Sequence, residues 1–223
     1  MPAGRPPRAA VTSAGVEPFT AVEARVVGCL VEKQRTVPDT YPLTLNALVA
    51  ACNQTSNRDP VVAYDDGTVL AAIDSLKAKG CARVVHPATG QRVTKYRHVV
   101  DEALGLEDGP LSVLAVLLLR GPQTEAELRA RTERLHLFAD AEELESALTV
   151  LASRDEPLVL RLERRPGERE ARWIELLHGS GHDQPVSDGP TVTRARETEG
   201  PTLEERVAAL EAEVALLREA LLE

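Results

Sequence analysis

The same succession of sequence patterns occurs twice in this 223-residue chain. Each copy reads as three helical segments followed by two strand-like segments around a turn with proline and glycine, at residues 87–90 and again at Pro166 and Gly167. Three helices and a hairpin in this order are typical of a winged helix, a variant of the helix-turn-helix. We therefore predict a mainly α-helical, α+β chain with tandem winged-helix domains at residues 19–100 and 109–177.

Capping side chains support the predicted helix starts. They are Thr20 with Glu23, Thr124 with Glu127, Asp140 with Glu143, and either Asp65 or Asp66. Gly80 is placed to end the third helix of the first copy. In that helix we expect the helical spacing of Val69, Leu70, Ile73 and Leu76 to turn these side chains toward the core.

The segments outside the two copies have other compositions. Residues 1–18 lack the apolar stretch of a signal peptide and are expected to form a disordered tail, and residues 178–200 are rich in Gly, Ser, Pro and Asp, as in a flexible linker. The longest apolar run, residues 113–119, is far shorter than the roughly 20 residues of a membrane span. We expect no membrane association and a location in the cytoplasm.

Residues 201–223 show a heptad pattern. Apolar side chains step alternately by four and three residues, at Leu203, Val207, Leu210, Val214, Leu217 and Leu221. Valine at a and leucine at d positions favour a parallel two-stranded coiled coil, so a homodimer is expected. The alternative is a helix that packs back on its own chain.

Charge is distributed unevenly along the chain. Residues 1–100 carry 12 Lys and Arg against 8 Asp and Glu, a balance of +4, and residues 101–223 carry 14 against 27, a balance of −13. Such an uneven charge distribution gives information about binding partners and not about the fold. The three cysteines, Cys29, Cys52 and Cys81, form no CxxC motif and are expected to be small buried side chains.

The first predicted hairpin is the leading candidate for contact with nucleic acid. It is free of acidic residues and carries Arg83, Arg92, Lys95, Tyr96 and Arg97. Cations suit phosphate contact, and the tyrosine could stack or bond to backbone. The alternative is an ordinary solvated hairpin. In the second hairpin arginines alternate with glutamates, which pairing between strands explains without a ligand.

The loop "NQTSNRDP", residues 53–60, leaves two interpretations open. Its Asn, Gln and Ser side chains commonly stabilise turns, and Asn57 could end the second helix in a left-handed conformation. The same loop would lie beside a duplex backbone in a winged helix, where Asn57 and Arg58 could contact phosphate or a partner.

Other features argue against reading of bases and against catalysis. Acidic residues begin both third helices, and acid opposes the release of counterions that drives duplex binding. The chain has no GxSxG, Walker or HExxH motif, and His178 and His182 lie in the Gly/Ser-rich segment without further ligands. We expect no enzymatic activity, cofactor, metal or small-molecule substrate.

Several longer stretches resemble the bacterial YceH family. They are "TAVEARVVGCLVEKQ", "YPLTLNALVAACNQTSNRDPV", "RVTKY", "LLLRGPQTEAELRAR" and "PGEREARW", within residues 19–177. The resemblance implies a tandem winged-helix fold and brings no biochemical role with it.

Two functional hypotheses follow from the residues. The first is a DNA-associated or chromatin-associated regulator that binds through its basic first domain. The second is a protein–protein adaptor that uses the acidic second domain and apolar grooves, by analogy with other tandem winged helices.

Overall fold

The computed structural model of this protein describes residues 17–85, 93–164 and 166–178, which all fall within one compact unit. The first repeat, residues 21–98, contains α1 (Ala21–Thr36), a 3₁₀ turn (Pro38–Thr40), β1 (Leu43–Thr44), α2 (Leu45–Cys52), α3 (Asp66–Ala78), β2 (Ala82–Val85) and β3 (Lys95–His98). A short helix, α4 (Val100–Leu104), follows it. The second repeat, residues 108–175, contains α5 (Asp108–Arg120), α6 (Glu125–Thr132), α7 (Ala141–Ala152), β4 (Val159–Arg161) and β5 (Trp173–Glu175).

The predicted fold class is confirmed, since helices predominate and the strands form two small antiparallel sheets. In the first repeat the strand order is β1-β3-β2, and in the second β4 pairs with β5. Both repeats are consistent with a winged-helix arrangement. The two-residue strand β1, with Leu43 opposite Tyr96, was not predicted, because two residues carry no periodic signal.

The predicted helix caps are confirmed. Thr20 and Thr124 each form a reciprocal capping box with the glutamate three residues later, while Asp65 and Asp140 accept a backbone N–H in the first turn. Gly80 follows α3 with a φ of 71°, a left-handed conformation that glycine adopts without strain. Local hydrogen bonding thus determines where these helices begin and end.

Helix α1 is the centre of the core. It packs against α2 and α3 of its own repeat and against α5 of the second repeat, and every residue from Glu23 to Val31 is buried. Gly28 permits the close approach to α5, because a Cβ there would stand 2.8 Å from Cγ of Leu119. The two repeats therefore share one apolar core, and their division into two domains stays a prediction.

The predictions for α3 and for the cysteines have different outcomes. Leu70 is exposed rather than turned inward, because the buried stripe of α3 runs through Val69, Ala72, Ile73 and Leu76 and Leu70 lies beside it. The segment between the two predicted domains begins with the short helix α4. All three cysteines are free and buried, as predicted.

Several predictions fall on residues outside the described ranges. These are the disordered tail over residues 1–16, the turn at residues 87–90, Arg92, the linker beyond His178 and the heptad helix with its six apolar positions. They remain predictions.

Candidate interaction surfaces

The loop between α2 and α3, residues 53–65, is closed by its own side chains. Asn53 Nδ2 donates to the Tyr64 carbonyl at 2.8 Å, and Asn53 Oδ1 accepts from the Tyr64 backbone N–H at 2.8 Å. The Asp59 backbone N–H donates to the carbonyl of Leu119 on α5 at 2.8 Å. The loop is therefore joined across its ends and attached to the second repeat.

Arg58 faces the protein interior, and none of its side chain is exposed to solvent. It makes a two-pronged ion pair with Glu32 of α1, at 2.6 and 3.1 Å, and donates also to the Ala51 carbonyl, the Asn57 carbonyl and Gln54 Oε1. These five bonds use all five guanidinium N–H groups. Phosphate contact by Arg58 is contradicted by this geometry, and the residue belongs to the turn interpretation.

A second buried arginine, missed from the sequence, holds the same loop from the other side. Arg25 of α1 donates to the Cys52 carbonyl at 3.1 Å and to the Pro60 carbonyl at 2.6 Å. The sequence feature that indicates this role is the position of Arg25 on the same helix face as Val22 and Cys29, because a charge on a buried face needs buried hydrogen-bond acceptors.

Asn57 has a left-handed backbone, with a φ of 60°, and an exposed side chain. It does not end α2, which stops at Cys52 with Asn53 as its cap. Its Oδ1 accepts a hydrogen bond from Arg120 of α5. Asn57 is thus a loop residue whose amide oxygen is directed at the second repeat.

The first hairpin has a charged outer face. Arg83 of β2 stands directly opposite Arg97 of β3, and Lys95 lies two residues from Arg97 on the same face. Tyr96 lies on the inner face, 8% exposed and packed in the core, so the predicted stacking by Tyr96 is contradicted. Side chains alternate between the two faces of a strand, so within β3 Lys95 and Arg97 reach solvent while Tyr96 and His98 are buried.

A carboxylate from α4 reaches this outer face. Glu102 Oε2 lies 3.2 Å from Arg83 Nη2, and Glu102 Oε1 lies 3.8 Å from Arg97 Nη2. The bridge relieves the repulsion of two arginines placed opposite each other. It also offsets part of the charge that phosphate contact would use.

Beneath the hairpin, His98 is buried in a polar cluster. Its Nε2 lies 2.6 Å from Gln34 Oε1, its Nδ1 lies 3.4 Å from Asp101 Oδ1, and its backbone N–H donates to the Tyr41 hydroxyl at 2.8 Å. Burial lowers the pKa of His98 to about 4, against the attraction of Asp101 and together with the positive charge of nearby arginines. The ring is therefore neutral at pH 7.

The outer faces of both third helices lack groups that read bases. On α3 the exposed residues are Asp66, Gly67, Leu70, Ala71, Asp74, Lys77 and Ala78, and on α7 they are Ala141, Glu142, Glu143, Glu145, Ser146, Thr149 and Val150. Base recognition in the major groove uses Arg, Lys, Asn or Gln near the start of the helix. Neither face carries such a set.

Charges of the second hairpin pair with their neighbours. Arg172 contacts Glu127 of α6 at 2.8 Å and Glu168 at 3.5 Å, and Arg161 lies 3.9 Å from Glu125. Among the described residues none of these contacts joins the two strands, although such pairing was predicted; the arginines pair instead with α6 and, between Arg172 and Glu168, within the segment after the turn.

An open groove of about 560 Å³ lies between α6 and α7 beside the second hairpin. Its floor is apolar and is formed by Ala126, Ala130, Ala141 and Leu144. Glu125, Glu133 and Glu170 line its rim together with Arg129. The groove offers space for an apolar side chain with carboxylates around it.

Within residues 17–85, 93–164 and 166–178, no three His, Cys, Asp or Glu side chains come together as a metal site would require. No helix in these ranges has both the length and the apolar character needed to cross a membrane.

Fold and surfaces together define a mainly helical protein with two similar helix-and-hairpin repeats joined through α1 and α5. Residues 19–168 match the family described as "Protein of unknown function, DUF480", and the chain belongs to that family. A UPF0502 protein of Leptothrix cholodnii is 49% identical over 207 residues, which cover 90% of each chain. UPF0502 proteins of Geobacter sulfurreducens and Pelobacter propionicus are 48% and 50% identical, over 88% of this chain and 88% and 89% of their own lengths.

Proposed function

We propose that this protein is a non-enzymatic adaptor in the cytoplasm, and that its second repeat binds a partner protein in the α6–α7 groove. The observation that supports the proposal is the apolar floor of this groove, open to solvent in the acidic half of the chain. We take the family to be the YceH family that the sequence resembles, and the repeats to be winged helices.

The groove suggests the chemistry of its partner. An aliphatic or aromatic side chain would fill the space above Ala126, Ala130 and Leu144, as helix-in-groove complexes do. Lys or Arg beside this anchor would pair with Glu133 and Glu170 at the rim. The partner segment is therefore basic and amphipathic.

Peptide selection tests this proposal. Random peptides displayed on phage are selected on the full-length protein and counter-selected on an Ala126→Arg variant, in which a long charged side chain fills the groove. Ala126 is exposed, so the substitution leaves the core intact. An Ala71→Arg variant, changed at an exposed position on α3, serves as the matched control.

We expect selected peptides with an apolar anchor flanked by Lys or Arg. They bind the wild type and the Ala71→Arg variant alike and bind Ala126→Arg at least about tenfold more weakly, a difference of about 1.4 kcal/mol. Peptides that bind all three proteins equally, or no enrichment at all, would reject the groove as a binding site.

A second candidate function is sequence-independent association with DNA through the first hairpin. The specific observation in its favour is the outer face where Arg83 opposes Arg97 beside Lys95. The single carboxylate of Glu102 offsets only part of these three positive charges, so an anion bound there would be favourable. Arg92, which lies outside the described residues, stays a predicted member of this candidate site.

A salt titration with a random duplex tests the second candidate. Affinity should fall steeply with salt, and replacing Lys95 and Arg97 by Gln should lower the slope by about one for each phosphate that is no longer neutralised. Glu102→Gln should strengthen binding, because it removes the carboxylate between two arginines. Arg129→Gln is the control for net charge, and undetectable binding at low salt would reject this candidate.

We also propose that residues 201–223 form a dimer through their heptad positions. Deleting them should then halve the mass measured by light scattering, and an unchanged mass would refute the dimer.

A further inference from the structure

A second pocket, of about 240 Å³, lies where α1, α5, α6 and the loop of residues 53–65 meet. Three arginines line it: Arg120 at the end of α5, Arg131 in α6 and Arg134 just after α6. None of them was predicted as a site residue from the sequence, because they are distant in the chain from the first hairpin. Three guanidiniums around one small space make the pocket strongly cationic.

The carboxylates nearby are already engaged. Glu32, the acid in the pocket lining, accepts hydrogen bonds from Nη1 and Nη2 of Arg58, and its Oε2 lies 3.1 Å from Lys33 Nζ. Arg131 lies 3.4 Å from Glu127, which has a closer partner in Arg172 at 2.8 Å. These acids therefore leave much of the arginine charge uncompensated.

Among the described residues, Arg120 and Arg134 form no ion pair. The side-chain bond of Arg120 goes to a neutral acceptor, the Oδ1 of Asn57. Burial, with the positive charge of Arg131 and Arg58, lowers the pKa of Arg120. The surroundings thus disfavour the charge of Arg120, and an anion bound beside it would reverse that effect.

The rest of the lining includes apolar side chains, namely Val116, Leu119 and Leu135. A volume of about 240 Å³ is smaller than the roughly 300 Å³ of the smallest typical ligand pockets, so the pocket favours a compact molecule. Guanidinium groups bind phosphate oxygens with two parallel hydrogen bonds, which favours phosphate over a spherical anion.

We propose that this pocket binds a small phosphate monoester, with its phosphate among Arg120, Arg131 and Arg134 and its organic part against Leu119 and Leu135. This pocket and the groove that we assign to a partner protein share Ala130 in their linings but use different arginines. Calorimetry with phosphates measures this pocket alone, so its result is distinguishable from the outcome of the peptide selection.

Isothermal titration calorimetry of the full-length protein tests the site, at low ionic strength in a buffer without phosphate. The probes are phenyl phosphate and inorganic phosphate. We expect both to bind with one site per chain, and phenyl phosphate to bind more tightly because its ring meets the apolar lining. Arg120→Gln and Arg134→Gln should each weaken binding by at least about tenfold, since each removes a charge-assisted hydrogen bond.

Arg129→Gln supplies the matched control, since it removes one arginine from α6 outside this pocket. It should leave both affinities unchanged. Arg134 is exposed and follows the helix, so its substitution gives a folded protein even if Arg120→Gln does not. No binding of phenyl phosphate at millimolar concentration, or an equal loss in Arg129→Gln and Arg134→Gln, would overturn the proposal.

Discussion

Replacing Arg58 by methionine should destabilise the protein strongly. The substitution removes five hydrogen bonds and leaves Glu32, 12% exposed, without its guanidinium partner. Losing one member of a buried ion pair costs about 3–5 kcal/mol, and the contact of Glu32 with Lys33 at 3.1 Å favours the lower end. We therefore expect the free energy of unfolding to fall by about 3 kcal/mol, a large part of the roughly 5–15 kcal/mol typical of a domain.

Urea unfolding followed by circular dichroism measures this loss. With a slope near 2 kcal/mol per molar urea, the midpoint should fall by about 1.5 M. Arg129→Met, at an exposed position on α6, should change the unfolding free energy by less than about 0.5 kcal/mol. A Glu32→Met and Arg58→Met double variant should lose less than the sum of the two single variants.

The stability of this ion pair also depends on pH. Burial raises the pKa of Glu32, but the hydrogen bonds and charges of Arg58 and Lys33 outweigh it and hold the pKa below the ordinary 4.5. The stability from this pair is thus present above pH 4.5 and lost as pH falls through the folded pKa. The gap between wild type and Arg58→Met should narrow under acid conditions. A loss below about 1 kcal/mol at pH 7 would refute the buried geometry and return Arg58 to the phosphate hypothesis.

Three further perturbations test the packing, the buried histidine and the caps. Gly28→Ala should cost about 1–3 kcal/mol in urea unfolding through its clash with Leu119, whereas Gly67→Ala, with no atom closer than 3.5 Å, should be neutral or stabilising. Because the pKa of His98 is lowered to about 4, its contribution to stability is lost as pH falls from 6.5 toward 4. Uptake of one proton on unfolding changes the free energy of unfolding by up to about 1.4 kcal/mol per pH unit. His98→Gln removes this proton, so the free energy of unfolding should depend less on pH between 6.5 and 5. Asp140→Ala should lower the free energy of unfolding in urea by about 1 kcal/mol, and Asp140→Asn should lower it by much less because asparagine also caps a helix.

Local features of the fold could be predicted from the sequence because their causes are local. The caps at Thr20, Thr124 and Asp140 depend on side chains within three residues of each helix start. The inward position of Tyr96 was also available, since alternation along a strand that sends Arg97 outward sends Tyr96 to the core.

Features that depend on the meeting of the repeats were beyond sequence reasoning. Helix α1 is buried on all sides only because α5 covers the face that a single repeat would leave open, with Gly28 against Leu119. Arg58 is separated from Glu32 by 26 positions, and no periodic pattern indicates such a pair. For the same reason the pocket around Arg120 has no signal in the chain.

Site-specific photocrosslinking in the native host tests the functional account most directly. A photoreactive phenylalanine analogue is placed at Ala126 in the α6–α7 groove and, in a second strain, at Thr94 beside the first hairpin; both positions are exposed. We expect position 126 to give a discrete adduct with a different protein and not with a second copy of this chain. We expect position 94 to give no more nucleic-acid adduct than a control position on α3. Nucleic-acid adducts from position 94 together with no protein adduct from position 126 would contradict the functional account and favour the DNA-associated alternative.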